Sequence, residues 1–197
     1  MKLTTLPDLT GDSGIFIDGD WVESKDQDPK GDVRLIQLAD IGIGEYINKS
    51  TRFMTSDTAI ALKCTFLQPG DILIARMPDP IGRACIFPGD EKPCVTVVDV
   101  CILRVDSELV EKDWLLYFLN SNVFQNRIGE WVKGATRQRI SRSNLGNIEF
   151  EMPDIDDQKK VSRVLKMAYE IRRKHQEAIK LTNELIKSTF LDNYYSE

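Results

Sequence analysis

Apolar and polar positions change their spacing twice along this chain, and each change marks a change of element. The first stretch carries short apolar runs. Val33-Arg34-Leu35-Ile36-Gln37-Leu38 alternates and is rich in branched side chains, as a half-buried strand requires. Gln68-Pro69-Gly70-Asp71 is a turn, and Ile72-Leu73-Ile74-Ala75-Arg76 behind it is a short, nearly continuous apolar strand. Gly82 to Phe87 and Cys94 to Val105 predict two further strands, parted by Pro88-Gly89-Asp90. From Asp113 to Val132 the period becomes helical. Trp114, Leu115, Phe118 and Leu119 share one face, then Val123, Phe124, Ile128 and Val132 another, with Ser121 and Asn122 between them as cap or break. These aromatics are most simply core.

The second change falls at Met152-Pro153-Asp154, where proline disfavours a helical residue before it. Asp154, Asp156 and Asp157 then supply caps and negative charge for a helix start. From there to about Leu191 neither Gly nor Pro occurs. Val161, Val164, Leu165, Ala168, Ile171, Ala178, Ile179, Leu185 and Ile186 recur in heptad register, with His175, Thr182 and Thr189 filling the same stripe. Glu170, Glu177 and Glu184 each precede a base by three residues, at Arg173, Lys180 and Lys187. Such a helix is roughly 55 Å long, and its stripe asks for a partner helix. The alternative is an amphipathic helix packed on its own domain. The predicted class is α+β: a mixed strand-and-helix domain over residues 1–153, then one long helical segment, 154–197, for coiled-coil pairing through Val164, Ala168, Ile171, His175, Ala178 and Leu185.

The length of 197 residues with 42% apolar content supports a core without disulfides or metals. No apolar run reaches the ~18 residues of a membrane span, and Met1 to Thr5 lacks a signal-peptide core, which predicts a cytosolic protein. Cys64, Cys85, Cys94 and Cys101 form no Cys-x-x-Cys pair, so buried reduced thiols are expected rather than a zinc site. His175, the single histidine, lies remote from any Gly-flanked serine, and no phosphate-binding glycine loop is present. Pro7-Asp8 with Glu23-Ser24-Lys25 has the outline of a magnesium-dependent nuclease motif. That chemistry needs the Glu-x-Lys pair on a buried strand, whereas this pair opens a polar, turn-like stretch.

Charge changes the picture more. The net charge is −5, and the first twenty residues hold four Asp against one Lys. Lys133-Gly134-Ala135-Thr136-Arg137-Gln138-Arg139-Ile140-Ser141-Arg142 has four bases and no acid. Arginine and glutamine make paired hydrogen bonds to guanine and adenine edges, and hydroxyls suit phosphates. Candidate DNA contacts are therefore Arg137, Gln138, Arg139 and Arg142, with Lys133 and Arg76 as weaker ones. The competing reading is a solvated loop in which Arg137 or Arg139 pairs with an internal carboxylate. An acidic total predicts weak binding to DNA by the chain alone.

Six segments, in order, resemble one family. They are Gly31 to Ile41, Pro69 to Arg76, Ile81 to Ala84, Leu119-Asn120-Ser121, Gly134 to Ser141, and Pro153 to Lys160. The sequence is similar, over nearly all of residues 14–195, to the specificity subunits of type I restriction–modification enzymes. The resemblance implies a non-catalytic, DNA-reading subunit with a target recognition domain and a helix that docks methyltransferase subunits. It also implies that S-adenosylmethionine, ATP and Mg²⁺ belong to partner subunits, with an ATP-driven restriction subunit as a possible further partner. Family members carry two recognition domains alternating with two helical regions, and this chain has one of each. It resembles a half-subunit, acting as a homodimer, as half of a hetero-pair, or as a remnant. A small nuclease, or a fragment of a fused restriction–methylation enzyme, is the competing class.

Overall fold

The computed structural model describes residues 2–132 and 138–194, the side chains of the last four excepted. Its centre is a four-stranded antiparallel sheet in the order β2 (Ile15–Asp18), β8 (Val100–Arg104), β5 (Ile72–Ala75), β6 (Ala84–Ile86). The continuous apolar runs follow from burial on both faces. Successive side chains of a strand point to opposite sides, so Ile72, Ile74, Cys101 and Leu103 enter one core while Leu73, Ala75, Val100 and Ile102 enter another.

The first core is roofed by α2 (Lys112–Leu119), α3 (Asn122–Trp131) and α4 (Arg142–Gly146). Ser121 separates α2 from α3 by capping the latter, its side chain accepting from the Phe124 amide. Phe118 stacks 5.3 Å from Trp114 and lies 4.8 Å from Phe150 on β9 (Phe150–Met152), which pairs with β1 (Lys2–Thr4). Phe124 and Ile128 are buried as expected, but Val123 is exposed, because α3 turns only one stripe to the core. Gly82, at φ 82°, sits where a Cβ would come 2.1 Å from the Ile128 side chain. Only glycine meets both conditions. Phe150→Ala is expected to cost about 3–5 kcal/mol, since it empties the centre of the aromatic cluster. Urea unfolding checks this.

The second core lies between the central sheet and a three-stranded sheet, β4 (Phe53–Met54), β3 (Val33–Ile36), β7 (Cys94–Thr96), in which β3 and β7 run parallel. The segment expected to be half-buried is buried on both faces. Val33 and Leu35 pack with Ala59 of α1 (Ser56–Ala61), while Ile36 joins the second core. Arg34 on that strand is 8% exposed, which its ion pair to Asp90 at 2.6 Å and its bond to the Ser50 carbonyl permit. The predicted strand over 94–105 is two strands in different sheets, parted by a turn at 97–100.

All four cysteines are buried and free, as their scatter implied. Burial pushes the thiols of Cys85 and Cys94 up to about 12, that of Cys64 up to about 11, and that of Cys101 upward too. Native protein at pH 8 should therefore resist a thiol reagent until it opens, with labelling in denaturant as the control. Keeping these protons in the folded state also means that stability falls as pH rises above about 9, where unfolded thiols ionise.

After Pro153 a single helix, α5, runs from Ile155 to Tyr194, 40 residues or about 60 Å. Asp154 caps it, accepting from the Asp157 amide at 3.0 Å. The helix meets the body through polar residues. The Gln158 side-chain Oε1 accepts from the Glu111 main-chain amide, its Nε2 donates to the Pro153 carbonyl, and Ser162 donates to the Glu111 carboxylate. Further on, Tyr169 reaches Glu45 at 3.4 Å across a cleft also lined by Arg172 and Arg173. In place of the expected spacing of three, Lys180 approaches Glu184 at 4.0 Å, four residues on.

Candidate nucleic-acid interface

The basic segment is anchored at the end of the central sheet. Ile140 is fully buried, and its amide donates to the Arg76 carbonyl just beyond β5. Ser141 then caps α4, accepting from the Asn144 amide, so that Arg142 opens the helix. Gln138 is exposed beside it. Lys133 and Arg137 lie outside the described residues.

Three arginines and two aspartates interlock here. Arg139 contacts Asp99 at 2.9 Å, and Asp99 stands in the turn before β8. Asp18, at the end of β2, lies 3.5 Å from Arg142 and 3.3 Å from Arg76. Arg142 also donates to the Phe16 carbonyl at 3.2 Å. Three guanidiniums against two carboxylates leave the cluster one net positive charge. Its two outer arginines are accessible, Arg139 at 40% and Arg142 at 45% of the side chain.

Arg76 needs correction. It is 4% exposed, paired with Asp18 and donating to the Val98 carbonyl, so it braces the sheet end from inside and presents no donor to the surface. Arg139 pairs with a carboxylate of the body, as one reading of the sequence had it, while its side chain stays 40% exposed. The partners Asp18 and Asp99 were missed, because both are distant in sequence from an apparently acid-free loop. Their one local signal is an aspartate inside an apolar run, Val97-Val98-Asp99-Val100.

The nuclease outline does not assemble. Asp8 accepts from the amide and hydroxyl of Thr5, bonds that hold its carboxyl below the usual range. Glu23 caps the short turn Ser24–Asp26 and pairs with Lys25 at 2.6 Å on an exposed surface. Both acids serve local turns rather than a buried strand.

The pairing residues fall on one side of α5. At 100° per residue, Ile171 lies roughly 140° around the helix from Gln158, which faces the body. Val164, His175, Ala178 and Leu185 share its outer face and are exposed, whereas Ala168 lies nearer the body and lines a cleft with Leu116 and Tyr117. Most of the stripe therefore points away from its own body.

The chain belongs to the family of type I restriction modification DNA specificity domains, whose model matches residues 14–183. A curated relative, the type I restriction enzyme MjaVIII specificity subunit of Methanocaldococcus jannaschii, is 25% identical over 165 residues, which is 81% of this chain and 39% of the relative. Among solved structures, the HsdS subunit of Thermoanaerobacter tengcongensis superimposes with a TM-score of 0.63 at 18% identity, over 90% of this chain and 39% of that one. The type I restriction-modification system S subunit from M. genitalium gives 0.62 at 17% identity, over 100% and 46%. A chain from a study of complex assembly in a type I R-M system gives 0.69 at 19%, over 95% and 43%. These structures share the α+β fold. This chain spans about two fifths of the length of the curated relative it matches.

Proposed function

We propose that this chain is the DNA-reading, non-catalytic specificity component of a type I restriction–modification system in a prokaryotic cytoplasm. Residues 1–153 act as its target recognition domain, and 154–197 serve pairing and docking. The observation that carries the reading is the Gln138–Arg142 segment, pinned to the end of a rigid sheet in a body of the specificity-domain family. A rigid base positions donors, and donors of this type fit base edges and phosphates. In this reading double-stranded DNA and methyltransferase subunits are the partners, with restriction subunits where the system cleaves. S-adenosylmethionine, ATP and Mg²⁺ are held by those partners. Co-purification from the native host tests it: a methyltransferase should be recovered with the chain, and sequence-specific DNA methylation should vanish when the chain is deleted. Recovery without a methyltransferase, together with Mg²⁺-dependent cleavage by the pure chain, would overturn it.

Substitutions should sort the contacts. Where Gln138 or Arg142 reads a base, replacement by alanine costs about 1–3 kcal/mol on the recognised site and relaxes preference at one base pair. A phosphate contact instead lowers affinity evenly across sequences and flattens the salt dependence. The chain alone, at a net charge of −5, should bind DNA far more weakly than its complex with methyltransferase subunits. Titration of labelled duplex against both measures this.

A further inference from the structure

The basic segment carries no acid in its own sequence, yet each arginine described in it faces an aspartate from a distant part of the chain, Asp18 at the end of β2 or Asp99 in the turn before β8. Asp99 holds Arg139 at 2.9 Å, and Asp18 lies 3.5 Å from Arg142 and 3.3 Å from the buried Arg76. We propose that Asp18 and Asp99 are specificity-determining residues: they occupy the place of DNA phosphates on Arg139 and Arg142, and so keep the reading segment from holding DNA of arbitrary sequence. This rests on the DNA-reading assignment above and deepens it.

The geometry supports exchange rather than permanent pairing. Both pairs are partly solvated, and a solvated pair separates at little cost. Each guanidinium leaves at least one terminal nitrogen without a partner among these contacts. Arg139 contacts Asp99 through one terminal nitrogen, and its Nε has no hydrogen-bond partner although buried. Arg142 faces Asp18 through Nε and the Phe16 carbonyl through another nitrogen. A carboxylate and a phosphate offer the same paired oxygens to a guanidinium. Arg139, compensated by Asp99, releases no net counterion on meeting a phosphate, and Arg142, which shares Asp18 with Arg76, is compensated in part, so sequence-independent affinity stays low. A base edge adds hydrogen bonds along the unused side of the fork, and only a matching base supplies them. Arg76 differs from the other two. It is 4% exposed and keeps its carboxylate, which fixes Asp18 in place.

The test uses the full chain and a short labelled duplex of arbitrary sequence, titrated across a salt series. Asp99→Asn should tighten this binding several-fold at low salt and steepen the slope of log K against log salt by about 0.9, one freed charge. Adding Arg139→Ala to that variant should return both values to those of the wild type. In the wild-type background Arg139→Ala, which leaves Asp99 unpaired, should lower non-specific binding modestly and lower modification of the recognised site far more. This second arm stands even where Asp99→Asn fails to melt as a native protein. Asp18→Asn should shift binding in the same direction through Arg142, read only where the variant melts as a native protein, since it also removes the carboxylate of the buried Arg76. Unchanged or weaker non-specific binding in natively melting Asp99→Asn, or a non-specific loss from Arg139→Ala as large as its loss of modification, would overturn the proposal while leaving the DNA-reading assignment intact. Absence of any DNA binding by the chain and by its methyltransferase complex would instead remove the DNA-reading assignment, and this inference with it.

Discussion

Arg83→Met should destabilise the body by about 4 kcal/mol or more, a large share of the 5–15 kcal/mol typical of a domain. Arg83 is 7% exposed and spends its fork on four main-chain carbonyls. Nε donates to Ile41 at 2.7 Å, one terminal nitrogen donates to Leu38 at 2.9 Å, and the other reaches Met77 and Pro80 at 3.0 Å each. These bonds tie the 38–41 turn to the 77–80 loop, two segments that no strand pairing joins. Methionine matches the stem but leaves the acceptors without a donor, and an unsatisfied buried group costs about 1–3 kcal/mol. Lysine should rescue little, because three donors on one nitrogen do not span four diverging carbonyls. Urea midpoints at an unchanged slope measure the loss. A loss under about 1 kcal/mol would show that water replaces the fork.

Arg83 also shows what the sequence revealed and what it concealed. The segments that carry the family resemblance are mostly buried polar clamps. Asp40 is fully buried and accepts from the amides of Gln37, Lys49 and Ser50. Asp71 receives the Arg104 fork at 2.7 and 2.8 Å. Asn120 bonds both main-chain groups of Ala84 at 3.0 Å and so fixes β6 to the end of α2. Such residues mark a fold well, because a buried polar group must find its partner. For the same reason they mark the DNA-facing surface poorly. Strand and helix periods were legible because burial on one face leaves a repeat. The double burial of β3, the split of 94–105 between sheets, and the aspartates opposite the arginine segment depend on contacts between distant residues. No local period encodes them.

Replacing Ile171 and Leu185 together by glutamate should leave a chain that melts like the wild type, remains monomeric, and no longer supports modification. The premise is that two copies pair through α5 about a two-fold axis, antiparallel, with one recognition body at each end. Ile171 is 57% and Leu185 65% exposed, on the helix face turned away from the body, so charge there disturbs no contact of the body itself. In a two-fold pair the same surface meets itself, so two substitutions put four carboxylates into one seam. Several kcal/mol of pairing energy should go, since each apolar side chain withdrawn from water contributes about 1.5–3 kcal/mol. The polar residues of the stripe are compatible with that seam. Thr182 satisfies its hydroxyl inside the helix, donating to the Ala178 carbonyl at 2.8 Å, and His175 can fix register at some cost in stability. A helix of about 60 Å then acts as a ruler between two identical readers. Such a reader should recognise an inverted repeat interrupted by unread bases, as dimeric readers mirror their sites. Light scattering at tens of micromolar and methylation mapping supply the two readouts. A monomeric wild type, or methylation of an asymmetric site by this chain with its methyltransferase, would replace the symmetric pair with a hetero-pair.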